Sequence, residues 1–157
     1  MSVVGFQEGY QHAVPVLVGV KPYLVVKVVS LAGLARLKLV SWDDSIERRG
    51  KDATDLLFIM KNYIAAGNMD RFFEEADILK EEASDYDRSS ARFLGREIAR
   101  MAGQATKTKL ADILEREANS SKGHKIAMEV LRQDAFQKQP YEQVLEYFNA
   151  LLRGLLD

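Results

Sequence analysis

Apolar and polar positions along the chain fall into two textures. Val14-Pro15-Val16-Leu17-Val18 and Leu24-Val25-Val26-Lys27-Val28-Val29 are rich in β-branched residues, and Gly19 to Pro22 lies between them. This pattern predicts a β-hairpin. Phe6 to His12 reads as a short helix ahead of it. From Ser30 onward apolar residues recur at helical spacing. Ser30 is an N-cap for a helix near 31–43. Gly50 precedes a helix near 51–66, with Gly67 as its C-terminal stop. Asn68 caps a helix near 69–82, Asp85 or Asp87 starts another that ends before Gly103, and Thr106 caps a helix near 107–119. A sixth begins around His124, and Pro140 opens the last, 140–155. The expected fold class is α+β, mostly α: residues 1–30 form a short β element, and residues 31–157 form a helical domain of six or seven helices.

A two-stranded hairpin is marginal by itself. Its cover has to come from the helices, from a second chain, or from a sheet that this chain lacks. On a wheel of residues 31–42, Leu31, Leu34, Ala35 and Trp42 form an apolar stripe, and Lys38 falls inside it. Ala53, Leu56, Leu57, Ile59, Met60, Tyr63 and Ile64 form the stripe of the next helix. Asp52 lies at the edge of that stripe and Asp55 further round. Consecutive helices therefore offer opposite charges near their facing sides, which predicts approach of Lys38 and Asp52 within about 4 Å. Two readings of the pair stay open: a structural ion pair, or a phosphate-binding lysine with a supporting acid at a site edge.

Composition narrows the chemistry. The 157 residues amount to about one domain. Cysteine is absent, which excludes disulfides, zinc–thiolate sites, iron–sulfur clusters and a cysteine nucleophile. The 22 Lys+Arg against 23 Asp+Glu give a net charge of −1, so nothing demands a polyanionic partner. The apolar region from Val14 to Val40 is interrupted by prolines, glycines and charges, and no membrane span or secretory leader is expected; cytoplasm is the default location. His12 and His124 lack a second ligand at helical spacing. Arg88, Arg92, Arg96 and Arg100 line one helix face, read as a solvated face balanced by Asp85, Glu97 and Asp112, with an RNA-backbone contact as the sharper alternative. The last helix, from Tyr141 to Leu155, is amphipathic.

The segments Ser30–Trp42 (SLAGLARLKLVSW) and Arg49–Leu56 (RGKDATDL), followed by Asn62-Tyr63, resemble predicted bacterial nucleotidyltransferases of the DNA-polymerase-β-like superfamily, related to the abortive-infection nucleotidyltransferase toxins. Gly5–Tyr10, Ala66-Gly67-Asn68 with Asp70-Arg71, and Phe93–Ala99 add matches in order across residues 3–102. The resemblance implies nucleotide binding by Lys38, Lys51, Asp52 and Asp55, with Lys38 at the phosphates and Asp52 beside it. It implies Mg²⁺ and a nucleoside triphosphate as family cofactor and substrate, with nucleotidyl transfer to a hydroxyl. The family's Gly-Ser or Gly-Gly element followed by Asp-x-Asp, whose carboxylates hold two metal ions, has no counterpart: neither glycine pair occurs, and Asp85-Tyr86-Asp87 is spelled like a helix cap. The expectation is thus a C-terminal portion without catalytic residues of its own and without a cofactor when isolated, partnered by a missing N-terminal catalytic domain or by a second copy. The alternative is a free-standing helical interaction module with a decayed site. Exposed Phe58 or the β segment is the expected homodimer contact.

Overall fold

The computed structural model describes residues 6–119, 124–133 and 140–157. A short helix α1 (Phe6–Gln11) leads into β1 (Val14–Val20) and β2 (Tyr23–Val28), an antiparallel pair with an irregularity between Leu17 and Gly19 and a cis Lys21–Pro22 bond in the turn. Then follow α2 (Leu31–Asp44), a 3₁₀ turn (Ile46–Arg48), α3 (Arg49–Asn62), α4 (Met69–Phe73), α5 (Ala76–Glu81), α6 (Tyr86–Met101), α7 (Gln104–Ala118), α8 (Lys125–Gln133) and α9 (Tyr141–Leu156). The architecture is α+β and mostly α, among the described residues one hairpin ahead of a helical bundle, as the pattern predicts.

Local chemistry accounts for several ends. The Ser30 hydroxyl accepts from the Gly33 amide, and the Asp85 carboxylate accepts from the Arg88 amide, so both cap their helices. Gly67 has φ +90°, the left-handed conformation that closes the turn after α3 at no Cβ cost. Thr106 is not a cap. Gly103 occupies that position, and Thr106 lies in the first turn of α7 with its hydroxyl donating to Glu8. The single helix expected over 69–82 is two short ones, which brings the helices after the hairpin to eight among the described residues. Arg96 and Arg100 explain the break: both donate to Glu75, which holds the chain between α4 and α5 against α6.

α6 and α9 form the central pair, and α3 bridges α2, α6 and α8. Their shared interior holds Leu39, Trp42, Leu56, Met60, Phe93, Leu94, Phe148 and Leu151. Gly95 and Gly154 let the two central backbones approach. A Cβ on Gly95 would lie 2.8 Å from the Leu155 nitrogen, and one on Gly154 2.8 Å from the Arg92 carbonyl carbon. On α2 the buried face is broader than the predicted stripe. Ala32, Arg36, Leu39 and Val40 are buried as well, whereas Leu31 is exposed, because α1 and α7 pack on flanks that a one-sided stripe leaves to solvent.

In the arginine row of α6, Arg88 pairs with Asp85 and Arg100 with Glu97 as expected, but the other partners are not Asp112 and the middle of the row is not solvated. Arg92 is buried and pairs with Glu81, Glu82 and Asp157; Arg96 pairs with Glu75, Asp77 and Asp157; Arg100 pairs with Glu75 and Glu97. These guanidiniums lock α5 and the end of α9 onto α6. No helix among the described residues is long and apolar enough to cross a membrane.

Candidate functional site

The site forms where α2 and α3 run side by side. Lys38 is two turns into α2, on the side facing α3. Asp52 and Asp55, three residues apart, share one face of α3. Lys38 Nζ donates to Asp52 Oδ1 at 2.8 Å and to Asp55 Oδ2 at 2.6 Å. The Lys38–Asp52 approach predicted from the two stripes is present, and Asp55 completes a triad. Burial grades the two acids. Asp52 is 2% exposed, whereas the Asp55 side chain is 39% exposed. Burial alone would lower the lysine pKa, but the hydrogen bonds that Nζ donates to both carboxylates outweigh it, so Nζ holds its proton above the ordinary lysine value. Asp52 Oδ2 is buried and has no hydrogen-bond partner among the described residues. A half-satisfied buried carboxylate costs stability.

Beside the triad is a cavity of about 400 Å³, a size that accepts a small-molecule ligand. Phe6, Leu34, Leu37 and Val40 make its apolar wall. Lys38, Asp52, Ser41, Asp44, Ser45 and Arg48 make its polar side. Asp44 is tied to Lys109 at 3.1 Å. Arg48, on the 3₁₀ turn, is exposed, and among the described residues its guanidinium makes no ion pair. Of the four residues the sequence nominates, the fold joins Lys38, Asp52 and Asp55. Lys51 is exposed and lies outside the cavity lining, since one helical step of about 100° turns it away from Asp52. Arg48, Ser41 and Phe6 were not nominated. Ser41 has a sequence signal, because it follows Leu34, Leu37 and Lys38 at helical spacing. Phe6 has none, since its place depends on how α1 docks.

That docking rests on Glu8. Its carboxylate accepts from Arg36 Nη1 at 3.0 Å, from the Gly103 amide at 2.8 Å and from the Thr106 hydroxyl at 3.1 Å. Gly103 is the N-cap of α7, so the acid also meets the positive end of that helix. Burial lowers the Arg36 pKa against the Glu8 charge. The contact fixes α1, and with it the base of the hairpin.

A second cluster surrounds Glu97 on α6. Its carboxylate is contacted by Arg71, by Arg100 at 2.7 Å and by the Tyr63 hydroxyl at 3.4 Å. Tyr63 is 3% exposed and belongs to the core, as its position on the α3 stripe predicts; burial pushes its pKa up against the pull of Arg71 and Arg100. Asp85 caps α6, and Asp87 takes hydrogen bonds or ion pairs from Tyr147 and Lys61, so Asp85-Tyr86-Asp87 is a helix-start element. Among the described residues no three His, Asp or Glu side chains cluster as metal ligands.

No known protein family matches the chain, and neither a curated protein nor a solved structure does.

Proposed function

We propose that the chain is the helical, nucleotide-holding portion of a nucleotidyltransferase-like protein. The observation that carries the reading is Asp52, a buried carboxylate left half-satisfied beneath Lys38 at the edge of a ligand-sized cavity. A buried carboxylate oxygen left free at the edge of a cavity marks a candidate ligand contact. The apolar wall of Phe6, Leu34 and Leu37 suits a base. The polar side offers Arg48, and Lys38 once it lets go of the half-exposed Asp55. Asp52, too deeply buried to leave, would keep the lysine aimed at the triphosphate. Nucleotidyl transfer itself needs carboxylates that hold Mg²⁺, and those belong to a catalytic sheet outside this chain. A second reading, a helical interaction module, is favoured by one observation: the hairpin is exposed on both faces.

Titration calorimetry of each nucleoside triphosphate with Mg²⁺ tests the proposal. The expected result is binding that weakens in Arg48→Ala, a surface change that leaves the fold intact. In parallel, incubation with labelled nucleoside triphosphates and bulk RNA or protein is expected to transfer no label. The absence of binding up to millimolar nucleotide, or label transfer that disappears in Asp52→Ala, would overturn it.

A further inference from the structure

The two edges of the hairpin are not equivalent. β1 carries Pro15, which has no N–H to donate, and the irregularity between Leu17 and Gly19. Both features blunt an edge against pairing. β2 has neither. Tyr23-Leu24-Val25-Val26-Lys27-Val28 is an unbroken strand without proline, glycine or bulge, and all six residues are exposed. Its one protecting feature is Lys27, whose ammonium is drawn over the Tyr10 ring at 4.2 Å.

The hairpin is also held out for contact. Glu8 fixes α1 at its base through three hydrogen bonds. The hairpin's apolar residues, with Tyr10, are between 37% and 74% exposed. Their combined surface over both faces and the edge is on the order of 1,000 Å², of which a partner at the edge covers a part, against about 800 Å² per partner in a standard interface.

We infer that the outer edge of β2 pairs antiparallel with β2 of a second copy of this chain, making a continuous four-stranded sheet across a two-fold axis. The strand is self-complementary about Val25. With Val25 opposite Val25 of the second copy, Leu24 faces Val26 and Lys27 faces Tyr23, so no two lysines oppose each other. The net charge of −1 leaves little long-range repulsion between copies. This inference is independent of the nucleotide reading.

The absence of cysteine makes the test direct. In Val25→Cys the two introduced thiols would sit across the axis, within disulfide reach. In Leu17→Cys, on β1 and similarly exposed, they would be separated by three strand spacings, about 14 Å. Under mild oxidation Val25→Cys is expected to convert to a covalent dimer and Leu17→Cys to remain largely uncrosslinked. Sedimentation equilibrium of the unmodified chain should give twice 17.7 kDa, with the mass falling in Val25→Lys, which sets two lysines against each other at the axis. Equal crosslinking of the two cysteine variants would place hairpin faces, not β2 edges, together and overturn the inference. A mass of 17.7 kDa up to high micromolar concentration would also overturn it, and would leave a separate sheet-bearing chain as the occupant.

Discussion

Lys38 grips two acids, and it matters differently to each. Asp52 lies in the interior with one oxygen already unpaired, while Asp55 faces solvent and is screened by water. Lys38→Met would strand the Asp52 charge with no partner, and loss of one member of a buried pair costs about 3–5 kcal/mol. Asp55→Asn removes only the exposed arm, worth less than about 1 kcal/mol. Lys38→Met combined with Asp52→Leu should recover most of the loss, since an apolar pair of similar volume replaces a buried ion pair at little cost. Urea unfolding of the three variants checks the order. Equal losses for Lys38→Met and Asp55→Asn would show that the interior acid does not depend on the lysine.

Among the helices the tightest fit is the crossing of α6 and α9, where two glycines face each other's backbones. Gly95→Ala and Gly154→Ala would each press a methyl group into main-chain atoms that cannot rotate aside. Overpacking costs about 1–3 kcal/mol where side chains can yield, and the upper end or beyond is expected here. Thermal unfolding should show the drop, and Gly67→Ala, a strained turn position with open space around it, should cost less because only the left-handed backbone penalty applies. Gly95 illustrates how far the sequence is legible. Its interruption of the Ala91, Leu94, Ile98 stripe predicts close helix packing, and α9 supplies the partner. Periodicity also places α2, α3, α6 and α9 and the burial of Tyr63, because each carries an apolar stripe at helical spacing, although α2 and α6 bury more than that stripe. The break between α4 and α5 leaves no such trace, since Arg96 and Arg100 reach Glu75 across 21 and 25 residues. The same limit applies at the candidate site: Lys38 facing Asp52 follows from neighbouring stripes, whereas the cavity wall at Phe6 needs Glu8 to find Gly103, 95 residues away.

At the scale of the bundle, arginine–carboxylate pairs clamp α5 and α9 to α6, and several of them meet at Asp157. The Asp157 side chain accepts from Arg92 at 2.9 and 2.8 Å and from Arg96 at 2.6 Å, while Arg96 also holds Asp77 at 2.6 Å. Burial of Asp157 raises its pKa, but the bonds from Arg92 and Arg96 prevail and hold the carboxyl below its ordinary value; the hydrogen bond from Arg96 does the same for Asp77. A carboxyl whose folded pKa lies below the unfolded one binds its proton more readily after unfolding. Its contribution is therefore complete above the unfolded value of about 3.9 and is lost as pH falls through the folded value. Stability should thus be flat around neutrality and fall as pH drops below about 4, with α9 and α5 loosening from α6 together. In the double variant Asp77→Asn, Asp157→Asn the protein should be weaker at pH 7, and its urea midpoint should decline less steeply between about pH 4 and 2 than that of the unmodified chain. Parallel declines for the two proteins would show that these acids do not hold the bundle closed, and that its acid sensitivity arises in the other arginine–carboxylate pairs.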